Sequence, residues 1–257
     1  MKTKSIGFIG GGRITKILLR GFENENLTFP SIVVCDTDQT VLLALERMFP
    51  FIKTTPNIMN IAKLEVIFIA LHPPVIAETI STIKEAFNEN AFFISLAPKF
   101  TIEKLSSLLN TKRIVRMIPN ATSFINQGVN LVCISEDIDL TEKDSILETL
   151  HVLGKTFETE ESNLEAYAIV SAMLPTYFWF QWMEMESIGQ KMGLSKQESQ
   201  EIIYDTLVAA LELLYSSGLK AEEVLDLIPV KPLAEKEPVI RDIFNDSLIT
   251  LYDKIRP

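Results

Sequence analysis

The sequence has few of the side chains that usually bind metals or form disulfides. Its 257 residues include only two cysteines and two histidines. Cys35 and Cys133 are far apart, each lies in an apolar strand-like run, and neither belongs to a CxxC or Cys/His cluster. We expect both to be buried core thiols, the usual state of isolated cysteines in cytoplasmic proteins. No metal site is predicted, although a sequence never excludes a carboxylate site.

The chain is also short of positive charge. It carries 34 acidic and 24 basic side chains, which gives a formal net charge of −10. Such a balance repels a phosphate backbone, so we expect no nucleic-acid partner. The composition, 47% hydrophobic and 23% charged without Pro-rich, Ser-rich or repeated stretches, is that of a folded protein of enzyme size.

Long uninterrupted hydrophobic runs are missing as well. The longest nonpolar run near the middle of the chain extends from Ala166 to Trp182, and Ser171, Pro175, Thr176 and Gln181 interrupt it. It is short for a ~20-residue membrane span, so we interpret it as a buried helix. No apolar segment with a small-residue cleavage site follows the basic start of the chain. The sequence therefore predicts a cytoplasmic protein with no membrane partner.

The first 160 residues alternate short β-branched or aromatic runs with longer amphipathic stretches. This alternation is typical of βαβ units and a parallel sheet. The continuous apolar run Val66–Leu71 indicates a strand that is covered on both faces, as parallel sheets require. The predicted strands are Ser5–Ile9, Ile32–Cys35, Val66–Leu71, Ala91–Leu96, Ile114–Met117 and Val129–Ile134, with helices over Ile14–Phe22, Thr40–Met48 and Pro74–Phe87 between them.

The pattern changes near Ser162 to long helical periodicity with scarcely a strand signal. Ser195 followed by Glu198 is typical of a helix start with a capping box. The predicted helices cover Leu164–Gly189, Ser195–Ser216, Ala221–Leu227 and Val239–Ile255. The predicted fold is α/β: an N-terminal Rossmann-type doubly wound parallel sheet over residues 1–160 and an all-helical C-terminal domain over residues 161–257.

A glycine-rich motif connects the first predicted strand to the first helix. Gly10 permits a tight turn, Gly12 lets the backbone approach a pyrophosphate, and the helix that starts near Arg13 offers free N–H groups to the phosphates. In this strand-to-helix context the spacing predicts dinucleotide binding by Gly10, Gly11, Gly12, Arg13 and Ile14. The alternative is a glycine-rich turn without a ligand. Thr15 stands where Gly or Ala is usual, and we expect it to crowd the helix against the strand.

Asp36 ends the second predicted strand, where a carboxylate can accept both ribose hydroxyls of the adenosine half. The alternative is a solvated residue that starts the turn Asp36-Thr37-Asp38. Asp36 and Asp38 repel a 2′-phosphate, and no Lys or Arg occurs between Asp36 and Arg47, which leaves Arg13 as the only nearby cation. The segment favours NAD, but loop amides can also bind a phosphate. The predicted cofactor is therefore NADP or NAD.

Segments at the ends of later strands carry a family resemblance. They are Ile69–Pro74, Ile94–Ala97, Thr101–Leu105 and Arg116–Asn120. With the glycine motif, these segments resemble the successive motifs of pyrroline-5-carboxylate reductases in order and in spacing. The resemblance covers nearly the whole chain and is most specific in the first 160 residues. It implies an NAD(P)-dependent oxidoreductase that dimerises through its helical domain.

The resemblance also implies roles for individual residues. In that family, the segments that match Ala70 to Pro73 and Pro119-Asn120 line the nicotinamide side of the cleft, so Ala70, His72, Pro73 and Asn120 are candidate cofactor-binding residues. His72 stands where the family commonly has Lys, so that a permanent cation is replaced by a titratable group. The alternative for His72 is a polar residue that merely caps the strand end.

The helical domain departs from the family at two places. The segment Ser171–Tyr177 keeps the family's Ser, Pro and Tyr but loses both glycines and the second Ser. The segment Ile228–Ala234 lacks the hydroxyls and glycines that would hold a substrate carboxylate. Lys231 either replaces them as a point charge or is a solvated loop residue. The bulky residues of the neighbouring helix are expected in the core, in a subunit interface or in the floor of an altered pocket; they are Trp179, Phe180, Trp182 and Met183.

The favoured function is hydride transfer from a reduced nicotinamide to the C=N bond of a small cyclic imine, with pyrroline-5-carboxylate giving proline. Ser171 and Thr176 are the candidate catalytic residues. A β-hydroxyacid dehydrogenase is a second reading, but it needs a catalytic Lys on the long helix, and no Lys occurs between Lys155 and Lys191. A third reading is a dinucleotide-binding sensor that has lost catalysis.

Overall fold

The computed structural model describes residues 4–257, so the first three residues of the predicted N-terminal domain lie outside it. The chain forms two compact units. The first runs to Ala172 and also includes Tyr252–Pro257, and the second covers Met173–Leu251. The boundary predicted after residue 160 falls inside the first unit, because Glu161 and Glu165 both bond to Arg116 in the sheet.

The first unit is built on one eight-stranded sheet. Strands β1 to β6 are parallel to one another, β7 is antiparallel to β6, and β8 is parallel to β7. Their order in the sheet is β3-β2-β1-β4-β5-β6-β7-β8, which confirms the predicted doubly wound fold. The strands are β1 (Ile6–Ile9), β2 (Ile32–Cys35), β3 (Lys53–Thr55), β4 (Val66–Ile69), β5 (Phe92–Ser95), β6 (Ile114–Ile118), β7 (Gly128–Ile134) and β8 (Gly154–Glu158).

All six strands predicted from apolar runs are present, and two strands were not predicted. Both β3 and β8 lie at the two edges of the sheet. β3 has the sequence Lys-Thr-Thr and β8 the sequence Gly-Lys-Thr-Phe-Glu. Because an edge strand is covered less completely, it needs no continuous apolar run, and the signal that revealed the central strands is absent here.

Between residues 4 and 172 the first unit contains six α-helices: α1 (Arg13–Asn24), α2 (Gln39–Met48), α3 (Pro73–Ser81), α4 (Ile102–Leu109), α5 (Leu140–His151) and α6 (Leu164–Tyr167). Helix α3 ends earlier than the predicted Phe87. Near its end the hydroxyls of Ser81 and Thr82 donate to the carbonyls of Glu78 and Thr79, at 2.7 Å in each case. Such local side-chain bonds compete with the helical ladder.

The second unit is helical, with α7 (Leu174–Lys191), α8 (Lys196–Ser216), α9 (Ala221–Asp226) and most of α10 (Glu237–Ile255). The capping box is confirmed, since Ser195 Oγ accepts from the N–H of Glu198 and the carboxylate of Glu198 accepts from the N–H of Ser195. The prediction of one continuous helix over Leu164–Gly189 is wrong. A π-helical turn at Ala168–Ala172 and a break at Met173 divide it, and Pro175, which has no N–H, stands at the start of α7.

Two apolar clusters cover the two faces of the sheet. Val66 and Phe68 of β4 belong to one cluster, and Ile67 and Ile69 belong to the other. This alternation confirms that β4 is covered on both faces. Helices α1 and α5 contribute to the first cluster, and α3 and α4 contribute to the second. None of the helices within residues 4–257 combines the length and the apolar character that a membrane crossing needs.

Candidate dinucleotide site at the carboxyl ends of the strands

Gly10 makes the turn between β1 and α1. Its φ of +104° lies in the region that side chains rarely adopt, and a Cβ built there would be 2.5 Å from the carbonyl oxygen of Ala70. The N–H of Gly10 donates to the carbonyl of Cys35 at 2.8 Å. The turn is therefore pressed between the ends of β4 and β2, and only glycine fits the position.

Gly11 fixes the same loop to the neighbouring elements. It is buried, and a Cβ would be 2.8 Å from side-chain carbons of both Val41 and Leu45 in α2. Its N–H donates to Oδ2 of Asp36 at 2.7 Å. The loop is thus held by a backbone hydrogen bond to a carboxylate as well as by close packing against α2.

Gly12 faces open space, unlike the two glycines before it. A Cβ at this position would have no heavy atom within 4 Å. Gly12 is the N-cap of α1, no side chain caps the helix, and its first turn contains no acidic residue. The first N–H groups of a helix have no intrahelical acceptor, and they favour an anion. The residues present therefore fit a dinucleotide pyrophosphate over Gly12, Arg13 and Ile14.

Thr15 lies where we expected a side chain larger than Gly or Ala to crowd the helix against the strand. Its side chain is fully buried, and Oγ1 donates to the carbonyl of Gly10 at 2.6 Å. The hydroxyl thereby satisfies a backbone oxygen of the glycine turn. Thr15 accordingly replaces the usual small residue without opening the turn.

Asp36 is half-buried at the end of β2, and both of its oxygens accept backbone hydrogen bonds. Oδ2 accepts from Gly11 at 2.7 Å, and Oδ1 accepts from Asp38 at 2.9 Å. Each carboxylate oxygen keeps a further lone pair for a ribose hydroxyl. Burial, with a smaller contribution from the Asp36 charge, raises the pKa of the neighbouring Cys35 thiol to about 11. The thiol is therefore protonated beside the site at neutral pH.

The segment after β4 lies beside the glycine loop, because Ile69 pairs with Ile9 in the sheet. Ala70 contacts Gly10 as described, and Pro73 is the first residue of α3. His72 is the exposed N-cap of α3, and its side chain makes no capping hydrogen bond. The role of His72 at the cofactor, and its alternative as a polar residue at the strand end, both stay predictions.

Asn120 follows β6 and is joined to Ser171 of the π-helical turn. The Asn120 amide donates to Ser171 Oγ at 3.2 Å, and Ser171 Oγ donates to the carbonyl of Val129 at 3.2 Å. Oδ1 of Asn120 accepts from the N–H of Thr122 at 3.0 Å, and Oδ1 of Asn130 accepts from the N–H of Asn120 at 3.1 Å. The structure thus brings together two predicted site residues that are far apart in sequence.

Thr176, the other candidate catalytic residue, belongs to the second unit. It is exposed in the first turn of α7, and its hydroxyl donates to the carbonyl of Met173 at 2.6 Å. Lys231 and the Ile228–Ala234 segment line an open groove of about 1000 Å³ in the same unit, with Phe178 and Phe244 among the other lining residues. Its lining is mostly apolar, as the loss of the hydroxyl-rich loop suggests.

The sequence analysis assigned no role to a buried ionic cluster in the first unit. Arg116 of β6 is 1% exposed, bonds to Glu165 of α6, and lies 3.0 Å from the carboxylate of Glu161. The carboxylate of Glu161 also accepts from the N–H of Ile102, the first residue of α4, at 2.6 Å. The only sequence signal was an arginine within the apolar strand Ile-Val-Arg-Met-Ile. No group of three or more His, Cys, Asp or Glu suited to a metal occurs within residues 4–257.

The sequence is similar to one family model and to several known enzymes. Residues 5–99 match the family model described as NADP oxidoreductase, coenzyme F420-dependent. Pyrroline-5-carboxylate reductase 1 of Bacillus subtilis is 24% identical over 229 residues, which are 88% of this chain and 77% of that protein. The enzyme of Haemophilus influenzae is 22% identical over 83% of this chain and 79% of its own length.

Solved structures give the same picture of the fold. Plasmodium falciparum pyrroline carboxylate reductase with NADP bound has a TM-score of 0.75 and 19% identity, and the match covers 99% of this chain and 95% of that one. The Streptococcus pyogenes 1-pyrroline-5-carboxylate reductase has a TM-score of 0.78 and 15% identity, with 99% and 97% covered. Together with the sequence relatives, these matches confirm the resemblance that the motifs predicted.

Proposed function

We propose that this chain, a divergent relative of the pyrroline-5-carboxylate reductases, is an NAD(P)-dependent reductase of a small cyclic imine. The observation that carries the proposal is the open space over Gly12, bounded by the free N–H groups of α1. The proposed substrate is pyrroline-5-carboxylate, which hydride addition converts to proline. The similarity to reductases of that name over 88% of the chain supports this choice.

Each part of the site has a proposed task in binding. The N–H groups that follow Gly12 bind the pyrophosphate, and Asp36 accepts the ribose hydroxyls of the adenosine half. Ala70, His72, Pro73 and Asn120 line the nicotinamide side, at the carboxyl ends of the central strands where ligands of open α/β sheets bind. The reduced nicotinamide supplies the hydride. The protein then contributes by orientation and by exclusion of water.

The hydrogen bonds of Ser171 limit its role in catalysis. A hydroxyl has one proton and two lone pairs, and here the proton goes to Val129 while one lone pair accepts from Asn120. The remaining lone pair can accept from the N–H of a protonated imine, which is the form that takes up hydride most readily. We therefore assign Ser171 to orienting the imine nitrogen. Thr176, whose hydroxyl donates to Met173, is the second candidate for this contact.

We also propose a homodimer formed through the helical unit. In the single chain Trp179, Phe180 and Met183 of α7 are 44%, 62% and 63% exposed, and Ile228 is 69% exposed. Large exposed apolar surfaces mark interaction sites, and a second copy of the same chain is the simplest partner that covers them. Sedimentation equilibrium tests this: a monomer at micromolar concentration would contradict the proposal.

The proposed location is the cytoplasm, with a small molecule as substrate and neither a membrane nor a nucleic acid as partner. Two unpaired cysteines and an excess of acidic side chains support it. Fractionation of cells that express the chain, with blotting of each fraction, tests the location. Recovery with the membrane pellet would contradict it.

The decisive experiment follows oxidation of NADH and NADPH in the presence of pyrroline-5-carboxylate, with binding of each cofactor measured separately. Gly12→Asp should abolish binding and turnover, because the carboxylate would occupy and repel the pyrophosphate position. Gly12→Ala is the matched control, since a Cβ there meets nothing and its φ of −68° suits any residue. Unchanged cofactor affinity in Gly12→Asp would remove the proposed site.

The apolar Ile228–Ala234 segment favours one second candidate, a dinucleotide-binding sensor without catalysis. This segment contains no hydroxyl side chain that could hold a substrate carboxylate. Tight cofactor binding without turnover of pyrroline-5-carboxylate or larger cyclic imines would favour the sensor. Turnover would instead show that the altered segment is tolerated.

A further inference from the structure

We propose that this chain selects NAD over NADP, and that Asp36 is the residue that determines this specificity. The inference rests on the dinucleotide site of the proposed function and goes beyond it, because neither the glycine loop nor the strand order distinguishes the two cofactors. The two differ only in the 2′-phosphate of the adenosine ribose. The question is therefore which groups of this chain surround that position.

The carboxylate of Asp36 is fixed where the ribose hydroxyls bind. Its Oδ2 accepts from the N–H of Gly11 at 2.7 Å, and its Oδ1 accepts from the N–H of Asp38 at 2.9 Å. Because the glycine loop and the N-cap residue of α2 both hold it, Asp36 cannot rotate away from a phosphate without giving up these bonds. A 2′-phosphate would thus meet a fixed negative charge.

No cation compensates this charge along the elements that surround it. After β2, no Lys or Arg occurs between Asp36 and Arg47, which lies in the last turn of α2. After β3, none occurs between Lys53 at its start and Lys63. Asp38, at the N-cap of α2, adds a second negative charge. Arg13 and Lys16 of α1 are the cations close in sequence to the glycine loop, and Arg13 is the exposed one at the start of the helix.

Backbone amides are the other groups that could receive a 2′-phosphate, and three of those around Asp36 are already bonded within the chain. The N–H of Asp38 donates to Asp36 at 2.9 Å, and the N–H of Thr40 donates to Asp38 at 2.8 Å. The N–H of Gly11 is held by Asp36 as well. A phosphate at this position would have to displace two carboxylates that accept these bonds. The same carboxylates leave lone pairs for ribose hydroxyls, which are donors.

The test measures the dissociation constants of NADH and NADPH by nucleotide fluorescence, in the absence of any substrate. We expect NADH to bind about tenfold more tightly or better, with a difference that narrows at high salt because charge repulsion is screened. The paired substitution Asp36→Ser with Thr37→Arg should reverse the preference. Thr37 is exposed, so an arginine there can reach solvent and phosphate. A gain of NADPH affinity cannot result from misfolding.

Two single variants serve as controls. Asp38→Asn removes the neighbouring charge but leaves Asp36 on the glycine loop, so NADH should still bind more tightly. Arg13→Ala tests the cation that could rescue NADPH. If the parent protein binds NADPH as tightly as NADH or more tightly, and Arg13→Ala loses that affinity, the inference is overturned while the reductase proposal stands. If neither cofactor binds, the dinucleotide site itself is wrong and both proposals fail.

Discussion

The sheet of the first unit carries two continuous apolar cores, whereas helices α7 to α10 of the second unit leave most of their large apolar side chains exposed. Every buried hydrophobic residue of the described chain lies between Ile6 and Ile169, and the second unit buries only Gly189 and Ser199. A folded core normally hides its aromatic residues, yet Phe180 is 62% exposed. The first unit therefore buries its apolar side chains within the single chain, whereas the second unit leaves apolar surface that the proposed homodimer would cover.

The ion pairs of the two units also differ in exposure. In the first unit Arg116 and Glu165 form an ion pair in which both side chains are 2% exposed. In the second, the pair of Arg241 and Glu237 has side chains that are 70% and 54% exposed. A broken buried pair leaves a charge without a partner, while exposed pairs contribute little. Substitutions can therefore test the contrast quantitatively.

The largest expected effect is the loss of a core aromatic ring. Phe8 is fully buried and stacks on Phe68 with 4.7 Å between ring centroids. Phe8→Ala should lower the free energy of unfolding by about 4 kcal/mol, since it removes buried apolar area and leaves a cavity. Phe180→Ala in the second unit, measured under conditions that keep the chain monomeric, should change it by about 0.5 kcal/mol or less. Urea denaturation of both variants measures the difference, and equal losses would abolish the contrast.

The next effect is the loss of the buried ion pair. Glu165→Ala should cost about 3 kcal/mol of unfolding free energy, at the low end for a broken buried pair because Glu161 still contacts Arg116. Glu237→Ala, which removes the exposed partner of Arg241, should cost about 0.5 kcal/mol or less. The same urea titrations give both values. A small loss in Glu165→Ala would mean that water reaches Arg116.

A third effect concerns association rather than folding. Phe180→Glu places a charge on the exposed apolar surface of α7, and we expect it to weaken the proposed homodimer by about 2 kcal/mol or more, the scale of an interface hot spot. Leu140→Glu is the matched control, since Leu140 of the first unit is 76% exposed. Sedimentation velocity over a concentration series measures both. If Leu140→Glu dissociates the dimer and Phe180→Glu does not, the interface lies on the first unit.

The sequence predicted the fold where the signal was local. Continuous apolar runs revealed the strands that are covered on both faces, such as Val66–Ile69, and glycine spacing revealed the turn at Gly10. Strands β3 and β8 carry polar residues because they lie at sheet edges, so their periodicity was uninformative. The break at Met173 was missed as well, because a π-helical turn followed by a new helix preserves nearly the same apolar periodicity.

The candidate site was predictable to the extent that its residues belong to one strand and the following turn. The glycine loop and Asp36 are recognisable because each lies directly after an apolar strand. The contact of Asn120 with Ser171 spans 51 residues, and that of Arg116 with Glu165 spans 49. Such contacts depend on how distant segments pack, and no local pattern encodes them. The engagement of the Asp38 and Thr40 amides likewise became visible only in the structure.

The smallest predicted effect is an alkaline loss of stability that arises at Cys35 in the first unit. Burial raises the pKa of the Cys35 thiol from 9.0 to about 11. The folded state then holds its proton more tightly than the unfolded state, so this contribution is complete below pH 9.0 and is lost as the pH rises to about 11. In Cys35→Ala, the loss of unfolding free energy over this window should be smaller by about 1 kcal/mol, which is less than the full linkage value because the surroundings of a buried group relax when it becomes charged. Urea titrations at several pH values measure the slope of the free energy of unfolding against pH. Cys133→Ala is measured in the same way for comparison. An unchanged slope in Cys35→Ala would show that water solvates the thiolate at the end of β2. The packing beside Asp36 would then be looser than that of the core of the first unit.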